Sequence, residues 1–163
     1  MPVQTPTGIM HLARFENGAS FLKAGAPDIQ KFSRSIIIPD DGITSVEIVS
    51  SSYHDFYNIS IAPSKGNLSR MINPEDVSYE YNNFYQVDSF YPGIIAELED
   101  PYIMRDIRGQ TVTLYPLQYN PTTKTLRLYT HIEVQITSSG NFGYNSLDRG
   151  TSERIVSNEY DKI

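Results

Sequence analysis

Cysteine is wholly absent from these 163 residues, which removes disulfides, thiolate metal sites and any thiol nucleophile within the chain. Tryptophan is missing as well. Positive charge is not in excess: Lys and Arg number 13 against 19 Asp and Glu, a formal net charge of -6, with the two signs intermixed. Nucleic-acid binding requires a basic stripe to neutralise phosphates, so DNA and RNA are excluded as partners. No apolar run approaches the roughly 20 residues that span a bilayer, and the first residues carry neither the basic nor the apolar segment of a signal peptide. Either the protein is cytoplasmic, or a signal has been removed and Met1 replaces it. A Gly-rich phosphate loop is also lacking.

What is present is tyrosine, 12 copies, and proline, 10 copies, a composition that suits many short strands better than long helices. The length fits one domain with a real core. The clearest stretch is residues 109–136. Leu126, Leu128, Thr130, Ile132, Val134 and Ile136 alternate with Arg127, Tyr129, His131, Glu133 and Gln135, the period of two of a strand with one buried and one wet face. Val112 and Leu114 supply an earlier arm, and the apolar phase slips to Leu117 and Tyr119 near Pro116, where a bulge or an edge is expected. Asn120-Pro121-Thr122-Thr123-Lys124 has the chemistry of the turn between the arms. The pattern predicts one long hairpin pairing Val112 and Leu114 with residues 126–136.

The rest of the chain reads as strands and loops. Residues 1–7 are expected to be a loose lead and residues 8–15 a first strand. Ser35-Ile36-Ile37-Ile38-Pro39 has the β-branched run of a buried strand, and residues 44–49 and 53–61 complete a three-stranded meander. Residues 62–74, framed by Pro63, Gly66 and Pro74, form an exposed polar loop carrying Lys65 and Arg70. A short strand is expected at residues 77–81, then an aromatic cluster of Phe84, Tyr85, Phe90 and Tyr91 packed under a long loop. Residues 94–98 are either one helical turn or a strand, and residues 102–107 are a strand. The core is expected to span residues 1–137, followed by a linker and a short helix in residues 138–163. That helix, at residues 151–160, has Thr151 or Ser152 as N-cap and Glu153 in its first turn, but its apolar face of Ile155, Val156 and Tyr160 is thin enough to need a docking partner. The expected fold is all-β, an antiparallel sandwich of two packed sheets, jelly-roll-like, with that one helix.

Residues that could carry chemistry do not assemble. His11, His54 and His131 lack metal spacing. His54-Asp55 beside Ser51 and Ser52 is no triad, because strand neighbours point to opposite faces. Glu97, Glu99, Asp100 and Asp106 follow no Ca²⁺-loop pattern and read as a solvated rim. No catalytic residue, metal site or cofactor is expected, and the chain is read as non-enzymatic.

Word by word, the chain is similar to a known family. Gly25-Ala26-Pro27, Ile36-Ile37-Ile38-Pro39-Asp40, Ala62-Pro63-Ser64-Lys65-Gly66, Asn73-Pro74, Phe90-Tyr91-Pro92, Arg108-Gly109-Gln110 and Gln118-Tyr119-Asn120-Pro121 with Lys124, in that order and spacing, resemble the N-terminal propeptide of gingipain-like cysteine peptidases of Bacteroidetes. The resemblance implies an antiparallel β-sandwich that precedes a caspase-like peptidase domain, keeps it latent by occluding the active-site cleft, and assists its folding. It implies the cognate catalytic domain as partner, export through the periplasm to the medium or cell surface, and a junction in residues 157–163. It also gives the loop cations a role, since a long basic side chain on an exposed loop can enter an acidic specificity pocket as a substrate side chain does. Lys65 and Arg70 are the candidate inhibitory residues, with Arg105 and Arg108 in reserve. A second reading is a non-catalytic adhesin or carbohydrate-binding sandwich whose exposed aromatics stack on sugars.

Overall fold

The computed structural model describes residues 1–148, and the helix expected at residues 151–160, like the junction at residues 157–163, lies outside them. The chain is all-β, of the antiparallel sandwich class, with only two short 3-10 turns besides strands among the described residues. Ten strands form three sheets: β1 (Pro2–Thr5) with β2 (Gly8–His11); β5 (Ile43–Phe56), β10 (Thr125–Ser139) and β9 (Leu117–Asn120) in that order; and β3 (Ala19–Ser20), β4 (Gln30–Ile37), β8 (Ile107–Leu114) and β6 (Ala96–Leu98), with β7 (Tyr102–Met104) also on β8. Two compact units share these strands. The first comprises residues 1–32, 50–95 and 114–133; the second comprises residues 33–49, 96–113 and 134 onward.

The hairpin is shorter than its pattern suggested. β9 pairs with β10 from Asn120 opposite Thr125 to Leu117 opposite Leu128, but β8 leaves for the other sheet, so Val112 and Leu114 do not pair with residues 126–136. Pro116 has no N–H to continue a ladder, and its carbonyl instead accepts the Tyr129 N–H at 2.8 Å. The expected turn chemistry holds: Asn120 Oδ1 accepts the N–H groups of Thr122 and Thr123 at 3.0 and 3.3 Å. The alternation holds over residues 131–136, with Ile132, Val134 and Ile136 half-buried and His131, Glu133 and Gln135 exposed, but not over residues 126–130, where Leu126 to Tyr129 are all half-buried and Thr130 is exposed.

Other expectations are corrected. Residues 1–7 are no loose lead, because β1 closes on β2 through a turn in which Thr5 Oγ1 donates to the Gly8 carbonyl at 2.8 Å. The meander is absent: residues 43–56 are one unbroken strand, since Ser50-Ser51-Ser52 contains neither Gly nor Pro to turn the chain. Residues 77–81 alternate in burial as expected yet form no strand. The run at residues 36–38 is not uniformly buried, as Ile38 is enclosed while Ile37 faces solvent. Residues 96–98 take the strand option.

The first unit is organised around Ala26, Ile29, Ile61, Tyr91, Leu117 and Tyr119, with Phe21, Phe84 and Tyr85 packed against them. Three of the four aromatics expected under a loop, Phe84, Tyr85 and Tyr91, thus join the core or pack on it, Phe84 lying 4.6 Å from Tyr91 ring to ring. Fully burying side chains of this size removes roughly 1.5–3 kcal/mol each from solvent exposure, which makes this cluster the foundation of what projects from it.

Candidate functional site

The loop after Ile61 grows directly from that core. Ile61, Ala62, Pro63 and Ser64 are all buried, and they run antiparallel to residues 24–28: Asp28 N–H donates to Ala62 O at 2.8 Å, Ser64 N–H to Ala26 O at 2.7 Å, and Gly25 N–H to Ser64 O at 2.9 Å. The Tyr85 hydroxyl adds a bond to Ile61 O at 2.8 Å. Burial has pushed the pKa of that hydroxyl well above the ordinary tyrosine value, which suits a neutral donor. The chain turns out at Gly66, where φ is +81° and an added Cβ would lie only 3.0 Å from Ala24 Cβ, so both disfavour a side chain.

Residues 67–73 then stand outside any strand. Ser69 makes a tight turn, accepting the Ile72 N–H on its carbonyl at 3.0 Å. Asn73 ends the excursion by capping the 3-10 turn Pro74–Asp76, its Oδ1 accepting Glu75 N–H at 3.1 Å. Arg70 is exposed near the middle of this excursion, with no hydrogen bond or ion pair among the described residues, and Met71 beside it is 93% exposed. Lys65 is different. Its Nζ donates to Pro74 O at 2.6 Å across the mouth of the loop and sits 4.3 Å from the centroid of the Tyr79 ring.

The reserve cations separate just as sharply. Arg105 is exposed in the β7–β8 turn at φ +58°. Arg108 is 1% exposed, and its guanidinium donates to Pro39 O at 2.9 Å, Gly42 O at 3.0 Å and Tyr144 O at 2.8 Å. Within the second unit it pins residues after β10 to the turn between β4 and β5, where Leu147 N–H also donates to Asp40 O at 2.7 Å. Gly143 makes the approach possible, because a Cβ there would run into the Gly42 carbonyl.

Catalytic constellations do not emerge among the described residues. Ser50 Oγ donates to Glu133 Oε2 at 2.7 Å and lies 3.3 Å from His131 Nε2, so the serine proton already points at the carboxylate rather than at the imidazole. No three His, Asp or Glu of the described residues gather to hold a metal ion. His54 is exposed, while Asp55 forms a bidentate pair with Arg127 at 2.8 and 2.9 Å. That pair holds the Asp55 carboxyl below its ordinary value. Arg127 also lies over Tyr53 and Phe90, at 3.8 and 4.3 Å from the ring centroids. Sequence reading missed this cluster, whose members are up to 74 positions apart and come from two strands and a loop, with no local signal that joins them.

Known proteins supply the family. The family model Propeptide_C25 matches residues 1–162. Gingipain R2 of Porphyromonas gingivalis is 43% identical over 145 residues, which is 89% of this chain and 20% of that protein, so the chain spans about a fifth of the length of this curated relative. The complex of the P. gingivalis RgpB pro- and mature domains superposes with a TM-score of 0.88 at 42% identity, covering 91% of this chain and 78% of that one. A structure of P. gingivalis gingipain K, solved for insight into its zymogenic latency, shares the fold at 20% identity, a TM-score of 0.72 and coverage of 86% and 80%. With its loop, its strands and its order of sequence words all accounted for, the chain belongs to the Propeptide_C25 family, the non-catalytic propeptide region of gingipain-type cysteine peptidase precursors.

Proposed function

We propose that this domain holds a gingipain-type catalytic domain latent by presenting Arg70 to its specificity pocket on the loop of residues 65–73. The observation that carries the reading is the contrast within one loop: its entry grows from a buried core and its exposed exit is held by the Lys65 contact and the Asn73 cap, while Arg70 alone among its cations is exposed and unpaired. A preorganised segment loses little entropy on docking, so the binding energy of a desolvated guanidinium against a carboxylate is retained. Held away from the attack geometry, the loop occupies the cleft without being turned over quickly. The core of residues 1–137, the following residues 138–163 as the passage to the catalytic domain, assistance in folding, and export through the periplasm all belong to the same reading.

The test is dissociation of the complex with the catalytic domain that follows in the same precursor. Arg70→Ala is expected to weaken binding by about 2–5 kcal/mol, mostly through a faster off-rate, because it leaves a buried carboxylate unpaired. Lys124→Ala, in the β9–β10 turn, is expected to change the off-rate less than about threefold, since a remote charge is screened by water and salt. An Arg70→Ala off-rate equal to the parent's refutes the loop assignment.

A further inference from the structure

A loop that offers an arginine to a peptidase is a substrate unless something stops it from behaving as one. We infer that Lys65 is that restraint: a staple closing the mouth of the loop, not a second side chain for the pocket. The inference rests on the reading of Arg70 given above. Lys65 and Pro74 are nine positions apart, and the Nζ to carbonyl contact at 2.6 Å joins the residue that follows the buried entry to the first residue of the 3-10 turn at the exit. The face of Tyr79 lies against the same ammonium at 4.3 Å, so one cation ties together the entry, the exit and the segment that follows. Gly66 fixes the direction in which the chain departs, and Ser64 Oγ accepts the Gly66 N–H at 3.1 Å, so the entry is held on both sides of Lys65.

The physical consequence concerns geometry and not affinity. To be cut, the Arg70-Met71 bond must adopt an extended path through the cleft, and the two new ends must separate. With its mouth closed, the loop has few such conformations, and after a cut the ends stay beside each other. Without the staple, residues 66–73 are tethered only by their flanks, and the extended state becomes accessible at little cost. Lys65 is in this sense a positioning residue that acts through Arg70.

Limited proteolysis of the full chain by trypsin, read at the Arg70-Met71 bond by mass spectrometry, measures this directly, because cleavage follows the population of opened loop when opening is fast. Lys65→Met is expected to be cut there roughly tenfold faster or more, with the melting temperature within about 2 °C of the parent. Lys65→Arg should restore slow cutting to within about threefold, as its guanidinium can reach the same carbonyl and ring. Tyr79→Leu, which removes the ring and keeps the cation, should give a smaller increase, and it serves as the second probe if Lys65→Met unfolds. Against the catalytic domain, Lys65→Met should keep the parent's initial inhibition constant within about threefold while the inhibited complex is lost sooner through cleavage at Arg70. Parent-like trypsin cutting of Lys65→Met and Tyr79→Leu overturns the staple. Faster cutting, combined with a parent chain that does not inhibit the catalytic domain, leaves the staple standing and refutes the function instead.

Discussion

Arg70 and Arg108 are the same residue put to opposite uses. Arg70 lies on a loop of the first unit with its guanidinium exposed and without a partner among the described residues, whereas Arg108 in the second unit is enclosed and donates to three backbone carbonyls. The comparison teaches that a cation's availability, and not its presence, decides whether it can recognise anything. Hydrogen bonds already made inside the fold must be broken before a partner can use them, and a buried charge without its acceptors is costly. Arg105 and Lys65 fall between: one exposed but set in a tight turn, the other half-buried and already bound to Pro74.

The largest effect that sharpens this contrast is on stability. Arg108→Met should destabilise the chain by about 3 kcal/mol or more, since three carbonyls lose a charged donor, and thermal melting should fall by roughly 6–12 °C. Arg70→Ala should leave the melting temperature within about 2 °C, as an exposed substitution away from special features does. Equal losses in the two variants would erase the distinction.

A second test acts on the foundation of the loop. Tyr79, Tyr85, Tyr91 and Tyr119 are all held above the ordinary tyrosine value chiefly by burial, Tyr91 being pushed up to about 12. The folded values lie above those of the unfolded chain, near 10, so the neutral form is favoured in the fold. Stability is therefore intact below about pH 10 and is lost as the pH rises from there toward 12. Melting curves should drop by roughly 5–10 °C between pH 9 and pH 11.5. A flat profile would show that these hydroxyls ionise freely and that the core around Ile61 is looser than its packing indicates.

The smallest expected effect separates satisfied from unsatisfied burial. The Tyr91 hydroxyl is buried without a hydrogen-bond partner among the described residues, so Tyr91→Phe should be neutral or stabilising by up to about 1 kcal/mol in chemical denaturation. Tyr85→Phe, in contrast, loses the bond to Ile61 O and should destabilise by about 1 kcal/mol. If Tyr91→Phe is the more damaging of the two, the hydroxyl has a partner that this account misses.

Much of this was legible before the structure. Alternation gave the buried and wet faces of residues 131–136, Asn120 gave its turn, and Gly66 and Pro74 bounded the exposed part of the loop, because each follows from local geometry, whereas Thr130 proved exposed and residues 62–64 proved buried. What was not legible depended on partners distant in sequence. Period two cannot say which strand lies alongside, so Val112 and Leu114 were assigned to the wrong neighbour although both lie on a real strand. Arg108 looked like any other cation until the carbonyls of Pro39, Gly42 and Tyr144 closed around it. Within the candidate site the loop was readable, but the division of labour between Lys65 and Arg70 was not, since it rests on a carbonyl nine positions away and a ring fourteen positions away.

The central claim is that the free arginine of the loop carries inhibition. Its most direct test is the pair of inhibition constants of Arg70→Ala and Arg105→Ala against the catalytic domain of the same precursor, because both side chains are exposed arginines and differ in where the fold presents them. The account predicts a loss of about thirtyfold or more for Arg70→Ala and a change below about threefold for Arg105→Ala. Undiminished inhibition by Arg70→Ala, or a larger loss for Arg105→Ala, would contradict it.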